Sequence, residues 1–278
     1  MATIRINGVR AEYRQTGNGP DLLLLHSLLT EMSVFERVLP RLAQAHRVTC
    51  LNLPGFGASD PVELSSVGEH ADHVVRAMDA LSVPSTVDVF GNGFGAFVAL
   101  ELAIRHGARM DRLMVADTVP AFPEPAKAPF RGMAEKVSAT GISAILDTAI
   151  GRMFPPAFQA AHPEVVAARK AALAPTNALC FARACLALAA LDLRPQLARI
   201  RNPTLVMCGA LDQTTTPALA REVASAIPGA VYRDIEDSGH CPMLEQPEAL
   251  VSMIEWFTSG SASLPVGSLG PLGSRVRH

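Results

Sequence analysis

The sequence predicts an α/β fold: a mostly parallel sheet covered by helices on both faces and interrupted once by an all-helical insertion. Three observations predict it. Apolar runs too continuous for a half-wet sheet recur along the chain, namely "LLLL" (22–25), "RVTCLNL" (47–53), "VDVF" (87–90), "RLMVAD" (112–117) and "TLVMC" (204–208). Strands buried on both faces read this way. Helical patterns separate them at 34–45, 66–81, 94–106, 217–226 and 247–257, the alternation expected of a parallel sheet. From about 120 to 197 the chain is alanine-rich and helical without a convincing strand.

The chain opens on two short alternating segments, "TIRI" and "VRAEYR", around Asn7-Gly8, a dipeptide suited to the positive φ angles of a hairpin turn. Residues 1–119 and 198–258 then form the α/β core, and 120–197 form a helical cap interrupted by "FPPAF" and "AHPE". Ligand sites favour such junctions. Residues 259–278 are rich in Gly, Ser and Pro without helical period and read as a flexible tail.

With 278 residues and 49% hydrophobic content the chain can bury a sizeable core. A formal charge of −2, with no dense Lys/Arg cluster, supplies no field for nucleic acid or an anionic membrane. The N-terminus has no continuous apolar core of a leader peptide, so a cytoplasmic location is the expectation. Homo-oligomerisation stays open. Cys50, Cys180, Cys185, Cys208 and Cys241 lack C-x-x-C spacing and read as free, mostly buried thiols. His70 and His73 could share a metal only with further ligands, so they read as part of a solvated helix face, and no metal or organic cofactor is expected.

The chemistry centres on "VDVFGNGFGAF" (87–97). G-x-S-x-G between a strand and a helix is a nucleophile elbow, whose middle residue is thrust out above the sheet. Here both flanking glycines are present and the middle residue is Gly93, which carries no reactive atom. Taken alone, this turn would equally suit a dinucleotide phosphate. Two downstream motifs argue otherwise: "CGALDQTTTP" (208–217) puts Asp212 after a buried strand, and "DSGHCPMLEQPEAL" (237–250) puts His240 after the next strand and before the last helix. Elbow, acid and histidine then follow in the order of a hydrolytic triad. Asp212 could also be only a turn former, and His240 only a satisfied loop histidine.

On these stretches, together with "LNLPGFGASD" (51–60), "FPPAFQAAHPEVV" (154–166) and "FARACLALAALDLRPQLARIRNPTLV" (181–206), the chain resembles the α/β-hydrolases over roughly 4–257, and within them the 3-oxoadipate enol-lactonase branch. The resemblance implies an oxyanion hole from the amides of Leu28 and Phe94, with Asp212 orienting His240. It makes Asp117, at the end of "RLMVAD", the runner-up acid. "LLLLHSLLTE" (22–31) resembles the loop that donates the first oxyanion amide, with Ser27 where a glycine usually follows the histidine. Ser27 is read as a polar pocket hydroxyl. Phe130, Met133, Ile145, Met153, Phe154 and Phe181 are the candidate cap residues setting substrate size, and Cys241 is read as packing.

Gly93 admits three readings. The first is a hydrolase of a small ester or lactone whose serine is replaced by Gly93, so that Gly93→Ser should restore turnover. The second is a natively serine-less enzyme. His240 would act as general base on the substrate, or on a water held in the room the missing side chain leaves, in direct hydrolysis, C–C cleavage or proton transfer. The third is a catalytically dead small-molecule binder, which the survival of both Asp212 and His240 argues against. They rank in that order.

Overall fold

The computed structural model describes residues 1–83 and 86–260. Strands β1 (Ala2–Ile6) and β2 (Val9–Thr16) form the expected hairpin, with Asn7 at φ 52° and Gly8 at φ 85°. Both values lie in the left-handed region that a two-residue hairpin turn demands. Six more strands follow: β3 (Asp21–Leu25), β4 (Arg47–Leu51), β5 (Val87–Asn92), β6 (Met110–Ala116), β7 (Thr204–Gly209) and β8 (Val231–Ile235). Together they make one eight-stranded sheet in the order β1-β2-β4-β3-β5-β6-β7-β8. The β1–β2 and β2–β4 pairs are antiparallel and every other pair is parallel. Every residue of β5 and β7 is buried, which is why those segments read as unbroken apolar runs. By contrast β8, "VYRDI", lies at the sheet edge with four of its five residues half-buried, and its mixed composition follows from that position.

Helices α1 (Leu39–Ala45), α2 (Val67–Ala80) and α3 (Phe94–His106) follow β3, β4 and β5 in turn along the chain. The helix expected over 34–45 is two pieces, a 3-10 turn at Met32–Phe35 and then α1. Pro40 explains the break, because it has no N–H to donate backward and is favoured in a first helical turn. A reciprocal capping box starts α2: Ser66 accepts from the Glu69 amide, and the Glu69 carboxylate accepts from the Ser66 amide.

One expectation about α2 is overturned. His70 and His73 are buried, only 3% and 5% exposed. They lie on the stripe that carries Val67, Ala71, Val74 and Met78 into the core, and the His70 ring meets Phe94 edge-on at 4.9 Å. Burial holds both imidazoles neutral, His70 down to about 3 and His73 to about 4. Histidine's apolar ring body suits a core-facing stripe, and residue type alone gave no warning of it.

The insertion between β6 and β7 carries helices α4 (Glu124–Thr140), α5 (Leu146–Gly151), α6 (Pro156–Ala161), α7 (Pro163–Leu173) and α8 (Ala178–Ala190). Prolines open α6 and α7, so "FPPAF" and "AHPE" mark helix starts. The two ends of the insertion run side by side through an Ala121–Asp192 bridge and a Leu193 amide donating to the Pro120 carbonyl at 2.8 Å. Further ties hold it to the core. The Asn177 amide donates to the Gly55 carbonyl at 2.8 Å, where a Cβ on Gly55 would lie 2.5 Å from that of Cys180. Arg169 reaches Glu31 at 3.4 Å in a buried ion pair. Helices α9 (Pro217–Ala226), α10 (Pro242–Glu245) and α11 (Pro247–Thr258) complete the chain. The expected tail lies, from residue 261, outside the described residues. All five cysteines are free and buried, and among the described residues no single helix is long and apolar enough to cross a membrane.

Candidate active site

The ends of β3, β5, β6 and β7 and the loop after β8 meet at one edge of the sheet, where a parallel sheet places its ligands. Gly93 joins β5 to α3 at φ 52°, ψ −116°, a backbone that L side chains adopt only under strain. Its flanking glycines are needed for close approach. A Cβ on Gly91 would sit 2.2 Å from the Gly95 carbonyl oxygen, and one on Gly95 2.2 Å from that of Leu25. The "GNGFG" pattern is therefore steric: it lets α3 start hard against the ends of β3 and β5.

His240 lies in the loop between β8 and α10. Its Nδ1 donates to Asp212 Oδ2 at 2.8 Å, so Nε2 is the nitrogen that serves as acceptor when the ring is neutral. Asp212 is both a turn former and the histidine's partner. Its Oδ1 accepts the Thr214 and Thr215 amides at 2.7 and 3.1 Å, and its Oδ2 takes the Thr215 hydroxyl at 2.5 Å beside the imidazole. Burial opposes both charges, but the pair outweighs it: His240 is raised to about 9 and Asp212 is held well below the usual carboxylate range.

Asp117, the runner-up acid, does not bond to the imidazole. Its Oδ1 accepts the Gly209 amide at 2.9 Å and its Oδ2 accepts from Asn92 Nδ2 at 2.7 Å. Asn92 Nδ2 also donates to the His240 carbonyl at 3.1 Å. Asp117 and Asn92 thus tie the elbow, the acid loop and the histidine loop together. Complete burial, reinforced by nearby Asp212, pushes Asp117 well above the carboxylate range. Glu245 braces the histidine loop from the other side, accepting the Gly239 and Cys241 amides at 2.7 and 2.9 Å. Cys241 is fully buried, and burial raises its thiol far above the range of a reactive thiolate, in keeping with a packing role.

Ser27, after β3, is where the structure departs most from expectation. It is 3% exposed, and its Oγ stands 3.4 Å from His240 Nε2. A Cβ built on Gly93 would fall 2.2 Å from Ser27 Oγ and 2.9 Å from Ser27 Cβ. The room expected beside the base, for a water or for a restored side chain, is filled by Ser27. Its loop is firmly held: the Ser27 carbonyl accepts the Thr30 amide at 3.2 Å, the Thr30 hydroxyl at 3.1 Å and His26 Nδ1 at 2.8 Å. His26 Nε2 in turn accepts the Leu53 amide at 3.0 Å. Burial lowers His26 to about 4, which keeps it the neutral brace this arrangement requires.

The Leu28 and Phe94 residues flank the same notch and are 4% and 1% exposed. Among the described residues no hydrogen bond engages either amide. The Phe94 amide opens α3, where the helix dipole favours negative charge. Two buried, unengaged donors next to an imidazole backed by a carboxylate can stabilise an oxyanion while the imidazole moves a proton.

The model of the alpha/beta hydrolase fold matches residues 20–247 of the chain. The chain belongs to this family. Among curated proteins, this hydrolase is 31% identical over 256 residues to 3-oxoadipate enol-lactonase 2 of Acinetobacter baylyi, covering 91% of this chain and 94% of that protein. It is 30% identical to the pimeloyl-[acyl-carrier protein] methyl ester esterase of Aeromonas hydrophila, over 87% of this chain and 96% of that one. Among solved structures, the enol-lactonase from Burkholderia xenovorans LB400 superposes with a TM-score of 0.88 at 28% identity, covering 93% of this chain and all of that one.

In this hydrolase a cavity of about 470 Å³ opens above the notch and is walled by the insertion. Ser27, Phe130, Met133, Met153 and Phe154 line it. Ile145 and Phe181 do not; at 3% and 0% exposure they pack inside the helical layer. Phe122, Leu188 and Gln159 were missed and do line the cavity. Phe122 bridges the two halves, 5.6 Å from Phe97 of α3 and 4.7 Å from Phe130 of α4. No local pattern separates these from Ile145 and Phe181, since apolar residues on both sides of a helix look alike until a second layer covers one of them. Asn92 and Glu245 could have been flagged, Asn92 by its place within the elbow and Glu245 by its place four residues after Cys241.

Proposed function

We propose that this α/β hydrolase cleaves a small, largely apolar carboxylic ester or lactone. In this reading His240 Nε2 takes and returns the proton, Asp212 holds the ring in the tautomer that permits it, and the Leu28 and Phe94 amides hold the oxyanion. Gly93 contributes the shape of the corner and no reactive atom. The observation that carries the reading is the 2.8 Å His240–Asp212 bond, which aims Nε2 at a notch bordered by two unengaged amides at the floor of the cavity. Both named relatives are enzymes of carboxylic ester bonds, a lactonase and a methyl ester esterase, which supports the bond class. The substrate's apolar character is argued from the cavity itself: aromatic and aliphatic side chains dominate its lining, and Arg152, the one arginine or lysine in that lining, is exposed.

The test is a panel of p-nitrophenyl esters and lactones of graded chain length, assayed with the unmodified protein and with His240→Ala. The expected result is turnover of short to medium apolar substrates, reduced at least ~10³-fold by the substitution. Turnover that survives His240→Ala, or binding of these compounds without any consumption, refutes the proposal.

A further inference from the structure

We infer that Ser27 is the nucleophile of this site, approaching the substrate from the loop after β3 in place of a side chain at the elbow; this rests on the hydrolase reading above. Three observations point there. The first is position: a side chain at residue 93 would begin 2.2 Å from Ser27 Oγ, so the serine hydroxyl stands at the point the elbow addresses, reached from the opposite wall. Gly93 is the residue that leaves this room. The second is the partner. Ser27 Oγ lies 3.4 Å from His240 Nε2, and with Nδ1 donating to Asp212 that nitrogen is the one that can accept the serine proton once the ring is neutral. A contact of this length shortens when substrate closes the site.

The third observation is the oxyanion donors. At an elbow, one donor is the amide of the residue directly after the nucleophile. Leu28 directly follows Ser27 and its amide is unengaged, so the relation is reproduced on the new loop, with Phe94, whose amide is also unengaged, lining the same cavity. The loop is also built to hold a reacting group still: three hydrogen bonds converge on the Ser27 carbonyl, one from the neutral, buried His26. A hydroxyl serving only as lining would need neither a partnered imidazole nor this bracing.

The chemistry balances with no further reagent. Ser27 Oγ attacks the carbonyl carbon while its proton passes to His240 Nε2, and the oxyanion rests on the Leu28 and Phe94 amides. Collapse breaks the acyl C–O bond; the leaving oxygen takes the proton from His240, giving an alcohol or the opened hydroxyl end of a lactone, and the acyl group stays on Ser27 Oγ. Water then attacks that ester as His240 accepts its proton. Collapse releases the carboxylic acid and returns the proton to Ser27 Oγ.

The experiment treats the full chain with a fluorophosphonate and maps the adduct by peptide mass spectrometry, alongside pre-steady-state kinetics on a p-nitrophenyl ester. Expected are a single adduct on Ser27, a burst of about one equivalent, and a loss of at least ~10³-fold in kcat for Ser27→Ala. Gly93→Ser by itself should lower activity, because it displaces Ser27 Oγ, whereas the swap Ser27→Gly/Gly93→Ser should recover turnover and move the adduct to residue 93. An adduct elsewhere, or no adduct while His240-dependent turnover proceeds, overturns the inference, as does Ser27→Ala within tenfold of the unmodified protein. Labelling needs no variant, so a folding failure in Ser27→Ala does not shield it. If no ester or lactone is consumed, the hydrolase reading falls, and the presence or absence of the Ser27 adduct still decides whether this hydroxyl is activated.

Discussion

Substituting Gly93→Ala adds one methyl group at the most crowded point of the site, and its cost can be worked from the geometry. At φ 52°, ψ −116° an L residue pays about 1–3 kcal/mol in backbone strain. The new Cβ would meet Ser27 Oγ at 2.2 Å, His240 Nε2 at 2.8 Å and Ser27 Cβ at 2.9 Å. The hydroxyl can rotate away but Ser27 Cβ cannot, so overpacking adds roughly 1–3 kcal/mol. The expected total is about 2–6 kcal/mol of lost stability. Ser27→Gly removes two of the three contacts and leaves the backbone strain in place. The double variant should therefore be more stable than additivity predicts, with a coupling of about 1–3 kcal/mol. Urea unfolding of the four proteins measures this, provided their m-values agree. Additivity within about 0.5 kcal/mol would mean that Ser27 does not fill the space in front of residue 93, and the account of the notch would be wrong.

The other predictions concern the histidines and the cavity. Asp212→Asn should cut kcat by roughly 10³–10⁴-fold with the fold intact by circular dichroism, because an amide no longer secures the Nδ1–H tautomer. His240 must be neutral to act as a base, and it is raised to about 9, so kcat/KM should climb through an alkaline limb near that value. The same shift stabilises the fold fully below about pH 6.5, the ordinary imidazole value, and is lost as pH rises through about 9, so activity and stability should move in opposite directions there. His26, His70 and His73 act the other way. Their folded values of about 4, 3 and 4 lie below that of the unfolded chain, which therefore binds more protons in acid. The urea midpoint should fall as pH drops below about 6.5, and His70→Leu should flatten that slope. Phe130→Ala should shift kcat/KM toward bulkier acyl groups by about tenfold or more relative to the shortest ester; an unchanged chain-length profile would remove Phe130 from the cavity wall.

Much of the fold was legible in the sequence because its signals are local. Five buried strands announced themselves as apolar runs, and α3, α9 and α11 began where their glycine or proline signals put them. The edge strand β8 was harder to read, since an edge strand carries polar residues that a central one cannot. The split before α1 was present in the sequence as Pro40, but the apolar periodicity running across it masked the break. Within the site, His240 and Asp212 were legible from their motifs and their order along the chain. The separate duties of Asp117 and Asp212 were not, because two carboxylates after neighbouring strands differ only in which one the imidazole faces.

Sequence alone determined the layered α/β architecture, the helical insertion, the glycine corner and the presence of an acid–histidine pair, because each depends on residue type and short-range spacing. Only the tertiary structure decided that Ser27, far from residue 93 along the chain, occupies the space that Gly93 leaves and stands beside His240. It also decided which helix faces wall the cavity. These outcomes depend on how separate elements pack across the sheet edge, and close packing in three dimensions leaves no periodic trace in one.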